Sequence, residues 1–278
     1  MREVVVAAVQ MAPRLNEMEE NLVAMSEWIR KIATEQRVDL ILFPELVTTG
    51  RECGVRFTEF AQRVPGPTVN LIAQRASEFN VHVAFGLVTK QRVESILYNT
   101  AVLIGPDGDL IGEYHKVHLR GEERMTFRTG YRYLAMETNF GVVGLMLGWD
   151  LAFPEVARCL ALEGAELLAV LANWETDQME EWRTYLLARA YENTLFVAGA
   201  NRVGEEPSYS FGGDSAIVGP RGQVYASLAG EMDPETGRPT EGYIVARLDL
   251  DEVRRYREEF QVFQCREPQT YRAIVRKY

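Results

Sequence analysis

Val142-Val143-Gly144-Leu145-Met146-Leu147-Gly148-Trp149-Asp150-Leu151-Ala152-Phe153-Pro154-Glu155 carries the pattern on which the fold turns. Val142 to Leu147 is a run of strand length without polar alternation, the mark of a strand buried on both faces. Pro154 and Glu155 then open a helix, where proline fits because the N–H it lacks has no helical partner. A sharp turn must join the two. Such an elbow exposes one side chain at its tip and aims backbone N–H groups at whatever binds there. Catalytic proteins place cysteine or serine at that tip. This chain places Gly148, whose side chain is a hydrogen atom.

Strands and helices alternate outward from the elbow in both directions. Towards the N-terminus, strands are predicted at Val4 to Met11, Asp39 to Phe43 and Val81 to Thr89, with helices at Asn16 to Gln36 and Thr68 to Phe79. Leu97 to Ile104 and Leu110 to His115 flank Gly105-Pro106-Asp107-Gly108 and read as a hairpin. Beyond the elbow come helix Pro154 to Glu163, strand Leu167 to Leu171, helix Gln178 to Asn193 and strand Leu195 to Ala200. A second hairpin spans Asp214 to Leu228, and strand Gly242 to Leu248 leads into a helix near Asp251. The halves share one rhythm, which predicts two sheets packed face to face with helices outside. With no linker or low-complexity tract, residues 1–278 are expected to form one domain.

Composition narrows the function. The 278 residues carry a net charge of −10 with no run of Lys or Arg, so nucleic acid and anionic membrane surfaces are not expected partners. Apolar stretches such as Val4 to Val9 are too short to span a bilayer. The N-terminus runs straight into a strand, without the pattern of a secretory signal. Cys53, Cys159 and Cys265 are odd in number and widely spaced, which fits a reducing cytoplasm. With His82, His115 and His118 they make no zinc spacing, so neither metal nor other cofactor is expected.

Three polar positions stand at strand ends. Glu45 follows Asp39-Leu40-Ile41-Leu42-Phe43-Pro44, Lys116 closes Leu110 to His115, and Gly148 closes Val142 to Leu147. Taken singly, each has an ordinary reading: a solvated loop glutamate, a lysine reaching water, a glycine chosen for its freedom in a turn. Together they could share one pocket. A desolvated carboxylate can take a proton from a nucleophile, and an ammonium with an elbow N–H can hold an oxyanion.

The chain resembles the nitrilase superfamily of carbon–nitrogen hydrolases in collinear motifs from Val5 to about Asp249. These are Phe43-Pro44-Glu45-Leu46, Tyr98-Asn99-Thr100-Ala101, Tyr114-His115-Lys116-Val117-His118-Leu119, Trp149 to Glu155, Asn173-Trp174, Arg189 to Asn193 and Ala200-Asn201-Arg202. The resemblance implies an α/β fold of four layers, α-β-β-α, and homodimers or larger assemblies, with the tail from about 250 to 278 in the dimer contacts. It also implies a Glu–Lys–Cys triad that cleaves amides, N-carbamoyl compounds or nitriles through a thioester or thioimidate. By position Glu45 is the general base and Lys116 the oxyanion-stabilising cation, and the Trp149 N–H completes the oxyanion hole with Lys116. Glu123 is the second glutamate, because Glu123 to Gly130 reproduces a Glu-x6-Gly stretch, with Glu122 the alternative if the register slips. The cysteine falls on Gly148. Ala152 departs too, at a position where many relatives carry Arg.

The remaining candidates have structural alternatives. Trp149 and Trp174 serve as pocket walls or as core. His115 and His118 fit a strand surface, Arg189 and Glu192 an ion pair or a dimer contact, and Asp150 a cluster of local hydrogen bonds. Cys159 fits a small core residue and Cys53 a place near the pocket. Three functions follow from Gly148: a hydrolase whose cysteine has been replaced, a binding or regulatory relative, or a slow hydrolase in which Glu45 activates water. Losing a covalent nucleophile removes the intermediate that divides a hard step in two, at a cost on the order of a millionfold in a serine protease. Glycine is expected to spare the fold and to leave room for a water beside Glu45. Retention of Glu45, Lys116 and Glu123 favours the first function, since buried charges are costly to keep without use.

Overall fold

The computed structural model describes residues 2–91 and 96–276. Its first half runs β1 (Glu3–Gln10), α1 (Met18–Glu35), β2 (Leu40–Leu42), α2 (Phe57–Phe60), α3 (Pro67–Phe79), β3 (His82–Lys90), β4 (Leu97–Ile104) and β5 (Leu110–His115). The second runs α4 (Glu123–Thr126), β6 (Ala135–Glu137), β7 (Val142–Leu147), α5 (Pro154–Leu162), β8 (Leu167–Ala172), α6 (Met179–Asn193) and β9 (Phe196–Asn201). It continues with β10 (Val203–Glu206), β11 (Tyr209–Gly212), β12 (Ala216–Val218), β13 (Val224–Ser227), β14 (Gly242–Asp249) and α7 (Asp251–Phe260).

Two six-stranded sheets result, ordered β14-β1-β2-β3-β4-β5 and β13-β12-β9-β8-β7-β6. The central strands β1-β2-β3 and β7-β8-β9 pair in parallel, as strands joined by helices must, and hairpins add the antiparallel neighbours. The second half also lends an edge strand to the first sheet. β6 pairs with β7 at the edge of the second sheet, while β14, the last strand in the chain, pairs with β1 of the first.

Side-chain parity assigns the layers. Along β1, Val4, Val6 and Ala8 join a core that includes Leu145, Leu147, Leu167, Leu171 and Ala198, all between the two sheets. Val5, Ala7 and Val9 face the other way, onto Met25, Ile29 and Ile32 of α1 and Ile72 of α3. On the second sheet, Met146, Leu168 and Val170 pack under Val156 and Leu160 of α5 and Trp182 and Leu186 of α6. Helix, sheet, sheet, helix is the expected order. No helix among the described residues is long and apolar enough to cross a membrane.

The predicted limits of β4, β5 and β7 coincide with the observed ones. Three strands lie outside the sequence expectations. β6 has three residues, and β10 and β11 pair only with each other, so none carries a long apolar run. β2 is shorter than predicted, ending at Leu42, although Phe43 N–H still donates to Ala84 O of β3 at 2.8 Å before Pro44 turns the chain away.

Candidate active site

Parity also puts polar side chains at one end of the layer between the sheets. Asn99 follows the inward alternation of Ala101 and Leu103 on β4, and Lys116 that of Tyr114 on β5. Lys116 N–H donates to Asn99 O at 2.9 Å, which seats the two residues side by side. Glu45 reaches the same place from the end of β2. There the chain crosses so close above Gly86 of β3 that a Cβ on Gly86 would lie 2.6 Å from Leu46 N and 2.7 Å from Glu45 Cα. Only glycine permits that approach. Leu46 itself is held at a φ of 48°, fixed by Val47 N–H on Gly86 O and Gly50 N–H on Leu46 O.

These side chains form one hydrogen-bonded cluster. Lys116 Nζ lies 2.7 Å from Glu45 Oε1, and 2.7 and 2.9 Å from the two oxygens of Glu123. Asn99 Nδ2 donates to Glu45 Oε1 at 2.7 Å and to Glu123 Oε1 at 3.3 Å. Glu123 accepts a further bond from Arg120 N–H, and Gly130 N–H closes the loop onto Lys116 O. Glu123, not Glu122, is thus the glutamate that joins the cluster. Glu122 is exposed and does not line the cleft that holds the cluster.

Glu45 and Lys116 are each 3% exposed. Burial raises the Glu45 pKa, Glu123 adds to that rise, and the nearby Lys116 only partly offsets it. Burial acts downward on Lys116, but the carboxylates Glu123 and Glu45 outweigh it and hold the ammonium above its ordinary value. For Glu123 burial works upward, and Lys116 overcomes it to leave the carboxyl below its usual range. A charged lysine, an ionised Glu123 and a more basic Glu45 can share this site, a division suited to proton transfer by Glu45.

Gly148 meets the cluster from the second sheet. It opens a short 3-10 turn with φ at 41°, and a Cβ built on it would lie 3.1 Å from Glu45 Cδ and overlap Glu45 Oε2. The room expected beside Gly148 is thus taken by the Glu45 carboxylate. Asp150 braces the turn from beneath, fully buried. It accepts from Tyr114 Oη at 2.7 Å, His118 N at 2.9 Å and Leu147 N at 3.3 Å. Arg189 of α6 supports the far side, donating to Leu151 O at 3.0 Å and pairing with Glu192.

A small cleft opens above the cluster. Trp149 and Trp174 wall it with ring centroids 5.7 Å apart, and the Trp174 indole N–H donates to Gln178 O. Arg51, Arg120, Asn173, Glu175 and Gln178 also line it. Arg51 pairs with Glu175 at 2.8 Å and lies 4.1 Å above the Tyr209 ring. None of the three cysteines lines the cleft. Cys53 is buried with Phe57 and Phe127, its thiol pushed up to about 11 by burial, while Cys159 is half-buried rather than core and Cys265 is exposed. His115 stacks on Tyr98 and His118 on Phe153. Among the described residues no group of three or more His, Cys, Asp or Glu could hold a metal ion.

Residues 5–258 match the family model of the carbon–nitrogen hydrolases. The chain belongs to that family. A probable nitrilase of Schizosaccharomyces pombe is 39% identical to it, over 97% of this chain and 98% of the relative. A nitrilase of Pyrococcus abyssi is 36% identical, over 91% of this chain and 92% of its own length. The fold of a carbon–nitrogen hydrolase from Helicobacter pylori superposes with a TM-score of 0.89 at 23% identity, covering 99% of both chains. This member of the nitrilase superfamily thus keeps the family's scaffold while carrying glycine at the elbow. Asn99 and Asn173 stood inside quoted motifs and were legible as positions, though not as ligands of anything. Arg51 lies in a loop with no periodicity to mark it.

Proposed function

We propose that this chain is a carbon–nitrogen hydrolase framework that binds a small amide, N-carbamoyl compound or nitrile and lacks the covalent step. The observation that carries this reading is that a Cβ at position 148 would meet Glu45 Oε2 directly, which makes residue 148 the neighbour of the base. In this reading a thiol at 148 gives its proton to Glu45, and its sulfur attacks the carbonyl carbon of an amide. The oxyanion is held by Lys116 Nζ and the Trp149 N–H. Glu45 returns the proton to the departing nitrogen, ammonia leaves, and water then hydrolyses the thioester. Glu123 keeps Lys116 charged throughout. With Gly148 no thioester forms.

A second reading rests on the other oxygen of the same carboxylate. Glu45 Oε2 accepts no hydrogen bond from the described residues, so it is free to take a proton from water and support slow direct hydrolysis. Gly148→Cys separates the two. The substitution is expected to raise ammonia release from a panel of amides and nitriles by several orders of magnitude, in line with what loss of a nucleophile costs elsewhere. The parent chain is expected to show no acyl adduct by intact mass. A revertant that binds ligand and releases no ammonia would sink the hydrolase reading in favour of a binding protein. For assembly, the family resemblance and the contiguous exposed rings of Tyr191 and Phe260 around Arg221 support pairing of two copies through that face.

A further inference from the structure

The cluster lies deep in the cleft, and the polar residues around it lie nearer the solvent. Side-chain exposure is 3% for Glu45 and 4% for Lys116, against 16% for Arg51 and 19% for Glu175. Arg120 and Gln178 are likewise half-buried, and all four of these outer residues line the cleft. They are also bonded to one another. Arg51 Nη1 donates to Glu175 Oε1 at 2.8 Å, Gln178 Nε2 to Glu175 Oε2 at 3.3 Å, and Arg120 Nη1 to Gln178 Oε1 at 2.8 Å. Arg51 follows β2 and Arg120 follows β5, both of the first sheet, whereas Glu175 and Gln178 follow β8 of the second. The bonds therefore run from the loops of one sheet to those of the other, over the cluster.

The main chain on both sides is held. Glu175 pairs with Phe211 in an antiparallel bridge, and the Trp174 indole N–H donates to Gln178 O at 2.9 Å. Arg51 N donates to Glu206 Oε1 at 3.0 Å and Arg120 N to Glu123 Oε2 at 3.1 Å. What is left free to move is the pair of long arginine side chains. Each lies against a ring, Arg51 4.1 Å from the Tyr209 centroid and Arg120 4.7 Å from that of Trp149. Rotation about their χ angles breaks the bonds to Glu175 and Gln178, with that from Arg51 to Asn173 O at 3.4 Å, and leaves the backbone in place. Side-chain rotations of this kind are far faster than the motions of loops or domains.

We infer that Arg51 and Arg120 are the two arms of a strap across the cleft, closed in this structure, and that a small molecule reaches Glu45, Lys116 and Gly148 by swinging them off Glu175 and Gln178. The inference concerns the way in and holds whatever the ligand is. The arms differ in kind. Arg51 with Glu175 is an ion pair partly open to water, so salt weakens it. Arg120 with Gln178 joins a charge to a neutral amide and responds less. Ionic strength therefore loosens one arm and spares the other.

A thiol placed beneath the strap reports its opening. Gly148→Cys supplies one, and Asn173→Cys, on the cleft wall, supplies a second that does not press on Glu45. Neutral iodoacetamide is the probe, and labelling of each cysteine is followed by peptide mass. Exposed Cys265 gives the rate of the reagent in the same molecule, and buried Cys53, in the loop of Arg51, reports whether that loop opens. In either background Glu175→Gln and Arg51→Gln should each speed labelling of the placed thiol roughly three- to thirtyfold relative to Cys265, the range for partly exposed pairs and charged hydrogen bonds. The two substitutions change the local charge in opposite senses, so an effect on thiol ionisation alone would drive the two rates apart. Salt raised to about 0.5 M should speed labelling while the Arg51–Glu175 pair is intact and have no such effect in Glu175→Gln. Unchanged rates, rates that move in opposite directions, or a placed thiol that reacts as fast as Cys265 with the strap intact would each overturn the strap. Labelling of Cys53 in step with the placed thiol would show that the loop moves, and the arms would fall as the means of entry.

Discussion

At position 148 one side chain separates the proposed catalytic site from the one present. Glu45, Lys116 and Glu123, the proposed base, cation and second glutamate, converge within hydrogen-bond distance, while the elbow carries only hydrogen at Gly148. Restoring a side chain there requires Glu45 to yield, because its Oε2 stands where the Cβ would go. A carboxylate at the end of a flexible side chain can make that move. The raised pKa of Glu45 then sets a pH dependence. Glu45 must be ionised to act as base, so activity of Gly148→Cys should rise with pH along a limb lying above the ordinary glutamate range. Rates of ammonia release measured from acid to neutral pH check this; a limb at the value of a free glutamate would show that burial does not control the base.

Among the elements, the β10–β11 hairpin does more than its short strands suggest. Glu206 at the end of β10 is tied to buried Arg202, and its carboxylate caps the loop after Glu45. It accepts from Arg51 N at 3.0 Å and Glu52 N at 2.8 Å. Arg202 also donates to Pro13 O, which joins the hairpin to the first sheet's connection. The network therefore positions Arg51 in the cleft wall. Replacing Glu206 with Gln leaves Arg202 buried without its counter-charge, and breaking such a pair costs about 3–5 kcal/mol. Denaturant unfolding should show a loss of that size, accompanied by weaker ligand binding through a loosened Arg51 loop. Stability equal to the parent's would mean that the pair is dispensable.

For the whole molecule, two halves share one rhythm, β14 of the second completes the sheet of the first, and the site forms where the ends of β2, β5 and β7 meet across the inter-sheet core. Pairing of two such molecules is expected through the Tyr191, Arg221 and Phe260 face. Sedimentation of the chain should give a dimer, and Tyr191→Glu with Phe260→Glu should shift it towards monomer; a parent chain that sediments as monomer at micromolar concentration would refute the pairing.

Much of this is legible in the sequence alone. Unbroken apolar runs such as Val142 to Leu147 could only be buried strands, and turn residues such as Gly105-Pro106-Asp107-Gly108 marked the hairpin. The positions of Glu45, Lys116 and Gly148 followed because each ends its own strand, and local periodicity fixes where a strand ends. Glu123 rested on a motif and Asn99 had no role, since neither lies in a pattern that reveals which way it faces a distant partner. The filling of the Gly148 tip by Glu45 was not readable at all. Nor was the place of Arg51 and Asn173 in the cleft wall, drawn from loops far apart in the chain. Local sequence controls backbone conformation within a few residues. Contacts across the core depend instead on the summed twist of two sheets and the course of irregular loops, which no short stretch encodes.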